Sequence, residues 1–406
     1  MPNVPVPTAD EQTIKTLGDM AAEAGLRRIV MLAWRDLDDV EAGGSEIHAH
    51  NVAALWARAG LEVTMRSSHA QGHPPRTVRA GYRVIRKAGR YMVFPRSVLA
   101  DLAGRHGPHD GLVEIWNGMP FFSPVWYRGP KMIWLHHVHG PMWEMTLPPN
   151  LARVGMTIEE RIAPLFYRRS PIVTLSESSK RELVHDLGFA DRRVSVVEPG
   201  IDPRFSPGAD GGVASRSPTP LAIAVGRLVP VKDFSRLIRI FHRVHGHAPD
   251  ARLVIVGEGY ERELLENLIS ELDAGSYVRL AGRTSDEELI DLYRRAWFVT
   301  SASVREGWGM TLTEAAACGT PAVASRIAGH ADAVAEGRSG LLGDDDAELA
   351  GHMIHLIDDR RLRERLQAGA LARAAELTWG HTAIGTLAVL ADDATRRGGR
   401  AGPQRS

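Results

Sequence analysis

The chain has 406 residues, 44% hydrophobic and 24% charged, with a formal net charge of zero, which is room for two domains of ordinary size. Neutral charge argues against a general nucleic-acid binder, and no apolar run approaches the roughly 20 residues that span a bilayer. One cysteine, Cys318, excludes an intrachain disulfide and a cysteine-based metal site, and the first 23 residues carry no basic-then-apolar leader, so the cytoplasm is the expected location.

Residues 1–26 read as a mobile arm with a short amphipathic helix over 10–24. Residues 28–33 follow as a buried-type strand, then a loop, a helix over 46–59 capped by Gly60, and a strand over 62–66. That β–α–β unit implies a parallel sheet. Between its strand and helix lies Gly43-Gly44-Ser45-Glu46, whose amides can face a phosphate or an acceptor hydroxyl. The same residues also suit a plain glycine turn with Ser45 as helix cap. Asp36-Leu37-Asp38 has the form of a metal-binding pair, but no third carboxylate accompanies it and no metal is expected.

Residues 76–94 predict a basic β-hairpin about Lys87-Ala88-Gly89, bearing Arg76, Arg79, Arg83, Arg86 and Arg90. Its charge is either a solvated strand face or a patch for an anionic acceptor or membrane phosphates. Strands are expected at 111–115, 131–135, 172–175 and 194–197. At the end of the second stand His136, His137 and His139; their spacing fits no zinc site, whereas one of them can bond a sugar or acceptor hydroxyl. An apolar, aromatic loop over 142–147 permits peripheral contact with the inner membrane surface.

Residues 203–220, rich in Pro, Gly and Ser, read as a linker. A second alternating set follows, with strands at 221–225, 252–256, 278–280, 298–300 and 322–324 and helices at 233–246, 260–272, 285–296, 312–318 and 347–357. The expected architecture is α/β: two doubly wound Rossmann-like domains, 27–202 and 221–378, facing a cleft, then a helix over 379–394 and a disordered tail over 395–406. Such sheets bind ligands outside the carboxyl ends of their strands.

The most informative stretch is Glu306-Gly307-Trp308-Gly309-Met310-Thr311, with Glu314 eight residues after Glu306. Loop amides at a helix start favour phosphate or sugar oxygens, and the two carboxylates can accept from neutral hydroxyls. After the strand over 221–225 come Gly226, Arg227 and Lys232, two cations that can converge on a diphosphate. Only five of the 49 basic residues are lysines, which adds weight to Lys232. Val256-Gly257-Glu258-Gly259 is a tight βα turn with structural glycines, and the backbone near Arg283 stands past another strand end.

Together these residues resemble the retaining glycosyltransferases of family 4, of two-domain GT-B fold, from residue 28 to about 390. The Glu306/Glu314 segment carries the resemblance most specifically, then Val225-Gly226-Arg227-Leu228-Val229-Pro230-Val231-Lys232. Ser176-Glu177-Ser178-Ser179-Lys180, Glu198-Pro199-Gly200-Ile201-Asp202 and Leu377-Thr378-Trp379 support it, the last where a C-terminal helix crosses back onto the first domain. The resemblance implies a nucleotide-diphosphate sugar as donor substrate, no cofactor or metal, and a glycan, lipid-linked or small hydroxyl acceptor. It assigns the diphosphate to Arg227 and Lys232, the donor sugar's hydroxyls to Glu306 and the ribose hydroxyls to Glu314. The amides of Gly307, Trp308, Gly309, Met310 and Thr311 would line sugar and phosphates, Arg283 would lie near the base, and Gly43 and Gly44 opposite the phosphates. His136 or His137 would approach the donor sugar. The alternative is a non-catalytic nucleotide- or glycan-binding subunit of the same fold.

Overall fold

The computed structural model describes residues 7–140, 142–208 and 216–398. The chain divides into two compact units. One comprises the residues up to Gly200 with those from Thr378 onward, and the other is Ile201–Leu377.

The N-terminal unit holds β1 (Arg28–Leu32), β2 (Glu62–Ser67), β3 (Arg76–Arg79), β4 (Tyr82–Arg86), β5 (Gly111–Trp116), β6 (Lys131–Leu135), β7 (Ile172–Thr174) and β8 (Val194–Val196). Their order is β3-β4-β2-β1-β5-β6-β7-β8, parallel except for the β3–β4 pair. Strands β5 and β6 are buried along their whole length, as parallel strands covered on both faces require. The acid inside β5, Glu114, is satisfied by the Phe121 and Ser123 amides at 2.7 and 3.0 Å and by the Tyr167 hydroxyl at 2.5 Å.

Three expectations change here. The hairpin turns at Ala80-Gly81, whose positive φ angles (46° and 88°) suit a two-residue loop, and not at Lys87-Ala88-Gly89. Its arginines are only in part an exposed face: Arg76 and Arg83 stay exposed, and the other three are paired. Arg79 and Arg86 turn inward onto Asp36 and Asp38, so the acidic pair is neutralised by guanidinium groups, while Arg90 pairs with Glu41. Second, residues 10–24 are no loose arm. Asp10 caps the helix Glu11–Glu23, and buried Leu17 and Ala21 accompany its packing on the C-terminal helix. Third, Met142–Thr146 is a short helix, not a loop.

The C-terminal helix, Trp379–Gly398, belongs to this unit. The Trp56 indole donates to Ala383 O (3.0 Å), Thr382 Oγ1 to Glu198 O (2.8 Å) and the Lys131 amide to Asp393 Oδ2 (3.0 Å). Gly200 permits the approach, since a Cβ there would lie 2.2 Å from Trp379 N. The helix runs through 395–398, four residues expected to be disordered; the rest of that tail lies outside the described residues. No helix among the described residues is long and apolar enough to cross a membrane.

The C-terminal unit holds β9 (Leu221–Val225), β10 (Arg252–Val256), β11 (Val278–Gly282), β12 (Phe298–Ser301), β13 (Ala322–Ser325) and β14 (Gly340–Gly343), all parallel in the order β11-β10-β9-β12-β13-β14. This is the doubly wound dinucleotide-fold order, which reverses between β9 and β12. Leu237, Phe241, Ile255, Val323 and Met353 are among its core. Gly257 and Gly259 are structural: a Cβ would fall 1.9 Å from Gly226 O and 2.1 Å from Leu228 O. The expected linker is pinned at both described ends. Arg204 pairs with Asp202 and Asp286, and Arg216 donates to Thr320 Oγ1 (2.7 Å) and to the Ala296 and Gly319 carbonyls. Residues 209–215 lie outside the described residues.

Candidate active site

In the C-terminal unit the order reversal places the segments after β9 and β12 side by side. A 3-10 turn, Pro230–Lys232, leads to Asp233, which caps the helix Phe234–His247 by accepting from Arg236 N at 3.1 Å. Gly226 leaves room for the Lys232 stem, since a Cβ there would stand 3.3 Å from Lys232 Cε. The Val304 amide donates to Val231 O at 2.9 Å and ties the two segments together. Lys232 Nζ then meets Glu306 Oε1, and Ser303 Oγ donates to the same oxygen at 2.9 Å. Both side chains of the ion pair remain partly exposed, 20% and 17%. Burial works against the Glu306 carboxylate, but the Lys232 charge, with His330 and Ser303, holds it below the usual range.

The loop after Glu306 is braced from below. Gly329 abuts it so closely that a Cβ would lie 2.4 Å from Glu306 O, and Gly309 takes φ 113° against the His330 ring. The helix Met310–Ala317 starts there, leaving first-turn amides of Met310 and Thr311 without intrahelical acceptors. Trp308 differs from its neighbours. The residue is 2% exposed, with its indole Nε1 unpaired among the described residues. Glu314, within that helix, receives the Tyr293 hydroxyl at 3.4 Å; burial nevertheless pushes its carboxyl up to about 8. Arg227 and Arg283 are exposed, and Arg227 has no ion pair among the described residues.

In the N-terminal unit the helix Gly44–Arg58 starts after a Gly43 cap, with the Gly43 amide on Glu46 Oε2 at 2.8 Å. Ser45 is therefore not the cap. Its hydroxyl lies 3.2 Å from His136 Nδ1, and His136 Nε2 lies 2.9 Å from His48 Nδ1. The His48 ring packs on Trp134 at 4.6 Å, with Nε2 buried and unpaired among the described residues. Burial pushes His48 down to about 3, and burial with the neighbouring histidines takes His136 well below its ordinary value; both are neutral. His137 is the more open of the two candidates, half-buried and stacked on His139 at 4.9 Å. The following turn hangs on Glu159, which accepts from the His139 and Gly140 amides (3.0 and 3.1 Å) and from Trp143 Nε1 (2.9 Å). This sheet reverses order between β1 and β5, where Arg35, Ser45, Glu46, His50 and Asn117 line a recess.

Lys232, Gly226 and Glu306 are thus brought together within one unit, as are Gly309 and the start of its helix. Ser303, His330, His48 and Glu159 escaped sequence reasoning. Ser303 had a signal in its position two residues past a strand, but the other three are tied in by folding contacts alone. Among the described residues no cluster of three or more His, Cys, Asp or Glu side chains is placed to hold a metal ion.

Two family models match the chain, Glycosyltransferase Family 4 over residues 42–205 and Glycosyl transferases group 1 over residues 212–373. The chain belongs to glycosyltransferase family 4. Among its relatives in the family is the D-inositol 3-phosphate glycosyltransferase of Stackebrandtia nassauensis, 36% identical over 245 residues, covering 56% of this chain and 55% of that protein. The protein of the same name from Acidothermus cellulolyticus is 35% identical over 242 residues, 56% of this chain and 54% of that one. In both matches the chain spans about half the relative's length. A longer match, 28% over 393 residues, covers 85% of the Streptomyces bingchenggensis protein of that name and 87% of this chain. Solved structures share the GT-B fold. Sucrose-phosphate synthase from Thermosynechococcus elongatus superposes with TM-score 0.73 at 19% identity, covering 92% of this chain and 98% of that one. Anabaena HepE, solved with UDP and glucose, gives 0.65 at 18% identity, covering 92% and 100%. At such identities the likeness is one of fold.

Proposed function

We propose that this family 4 protein transfers a hexosyl group from a nucleotide-diphosphate sugar to a hydroxyl of a glycan, glycolipid or small molecule, with retention of configuration and without a metal ion. The observation that carries the reading is the Lys232–Glu306 pair where the β9 and β12 segments meet, the first segment also carrying exposed Arg227 and the second leading to the first-turn amides of Met310 and Thr311. As the bond from the anomeric carbon to phosphate breaks, positive charge spreads over the sugar ring and negative charge gathers on the diphosphate. Lys232 exchanges its Glu306 partner for that diphosphate, Arg227 joins it, and the amides complete the anion site. Glu306, still held by Ser303, accepts hydroxyls of the sugar. The acceptor oxygen bonds to the same face that the phosphate leaves, and its proton passes to the departing phosphate oxygen. Neither glutamate forms a covalent intermediate.

Glu314 accepts the ribose diol, whose two donors favour its ionised form. The N-terminal unit, with Gly43, Gly44 and His137, is assigned to the acceptor side. The relatives' name makes an inositol phosphate the first acceptor to try. The test is a panel of nucleotide sugars scored for binding and for slow donor hydrolysis with and without acceptor. Turnover unaffected by chelator and abolished by Lys232→Ala supports the reading. Binding without turnover on any acceptor would assign the protein to a non-catalytic role.

A further inference from the structure

The helical segment after the histidine turn exposes a row of large apolar side chains. It runs as Pro149–Thr157, a π-helical turn Ile158–Ile162, and Ala163–Tyr167. Its buried positions are Ala152, Gly155, Glu159, Ala163, Pro164 and Tyr167, of which only the tyrosine is a large ring. Its open face holds Leu151, Val154, Ile162 and Leu165 with half-buried Ile158 between them, at intervals of three, four, four and three, which is one side of a helix. Leu151, Val154 and Leu165 are 56%, 54% and 58% exposed. Amphipathic helices of water-soluble domains ordinarily keep most of their large aliphatic residues inside.

The apolar surface does not stop at this segment. The helix Ser123–Trp126 adjoins both Ala163–Tyr167 and Val93–Leu102, adding exposed Val125, Leu99 and Leu102. Among the described residues, eleven of the sixteen exposed large apolar side chains fall between positions 91 and 166. Exposed apolar side chains gathered on adjoining helices mark a binding surface. Charge indicates what binds. Arg153, Arg161, Arg168 and Arg169 stand exposed along the same segment, with Glu160 the one exposed acid between residues 149 and 169, in a chain whose net charge is zero.

We infer that this face seats on a lipid bilayer bearing anionic headgroups. The aliphatic row enters the headgroup–acyl boundary while the flanking guanidinium groups take lipid phosphates. A second copy of the chain is the poorer occupant, because a two-fold contact through this face sets like charges opposite one another. The inference is independent of the transfer chemistry.

Sedimentation with large vesicles tests it, using equal parts phosphatidylglycerol and phosphatidylcholine against phosphatidylcholine alone. The full chain is expected to partition at least about tenfold more strongly onto the anionic vesicles, and less so as salt is raised. The double variant Ile162→Asp/Leu165→Asp should lose at least about tenfold in binding with an unchanged melting temperature, because both sites are exposed. Replacing Arg161, Arg168 and Arg169 by Gln should bring anionic binding down to the neutral level. Wild-type protein left in the supernatant, or undiminished binding by either variant, overturns the inference. So does a light-scattering dimer that Ile162→Asp/Leu165→Asp splits into monomers, which would give the face to a second copy.

Discussion

In the C-terminal unit, the residues past β9 and β12 are charged and partly open: Lys232 is held by Glu306, Ser303 steadies the carboxylate, and Arg227 stands in solvent. In the N-terminal unit, a row near β1 and past β6 is neutral and its two imidazoles are buried: Ser45, His136 and His48 form a hydrogen-bonded row backed by Trp134. Both sets sit at the carboxyl ends of parallel strands, and they differ in what burial has done to charge. An ion pair that stays partly exposed can exchange one partner for a diphosphate at modest desolvation cost. A buried imidazole pair has given up its charge and can only orient. The first arrangement suits a leaving group that gains charge, the second a neutral hydroxyl.

The largest expected effect comes from Lys232→Ala. Removing a preorganised cation from a developing oxyanion should lower kcat by about 10²–10³-fold, while the circular dichroism spectrum stays that of wild type. A loss of less than tenfold would make the pair a structural ion pair only. Glu306→Gln keeps the shape and the Ser303 contact but removes the charge-assisted acceptor, and should cost about 10–100-fold in kcat/KM. In the N-terminal unit, His48→Phe keeps packing on Trp134 and removes the contact to His136. We expect about 1–2 kcal/mol of destabilisation from chemical denaturation, and nucleotide affinity unchanged. A large change in nucleotide affinity would erase the distinction between the units.

The pH slopes of the two units are expected to have opposite sign. Burial pushes Glu314 from 4.5 up to about 8, so folding retains a proton that the unfolded chain releases. That contribution is whole below pH 4.5 and is lost as pH rises toward 8. Burial pushes His48 from 6.5 down to about 3, so folding excludes a proton that the unfolded chain binds. Its contribution is whole above pH 6.5 and is lost as pH falls toward 3. Glu314→Gln should flatten the melting-temperature profile on the first interval and His48→Phe on the second. Nucleotide affinity in wild type should rise as pH approaches 8 and Glu314 ionises, a rise that Glu314→Gln should abolish.

What could be read from the sequence follows the range of the interactions. Strands such as β6 and β9 are short apolar runs between turn signals, and the Glu306 loop joins a strand to a helix start, so periodicity and glycine placement revealed them. β14 escaped because Gly340–Gly343 is four residues long and glycine at both ends. The hairpin was displaced because Ala80, at φ 46°, adopts a conformation that its side chain gives no reason to expect. The arginine face thinned to Arg76 and Arg83 because Arg79 and Arg86 find Asp36 and Asp38 some 41 to 50 positions earlier in the chain, a pairing no local pattern encodes. The Ser45–His136–His48 row spans 91 and 88 positions and was hidden for the same reason.

The central claim is that Lys232 and Glu306 form the anion-receiving half of a nucleotide-sugar site. Its most direct test is calorimetric titration of UDP, GDP, ADP and their sugar conjugates into wild type, Lys232→Ala and His48→Phe. At least one nucleotide is expected to bind wild type, Lys232→Ala to weaken it by about tenfold or more, and His48→Phe to leave it unchanged. Equal affinity of wild type and Lys232→Ala for every nucleotide, or binding by none, would contradict that claim.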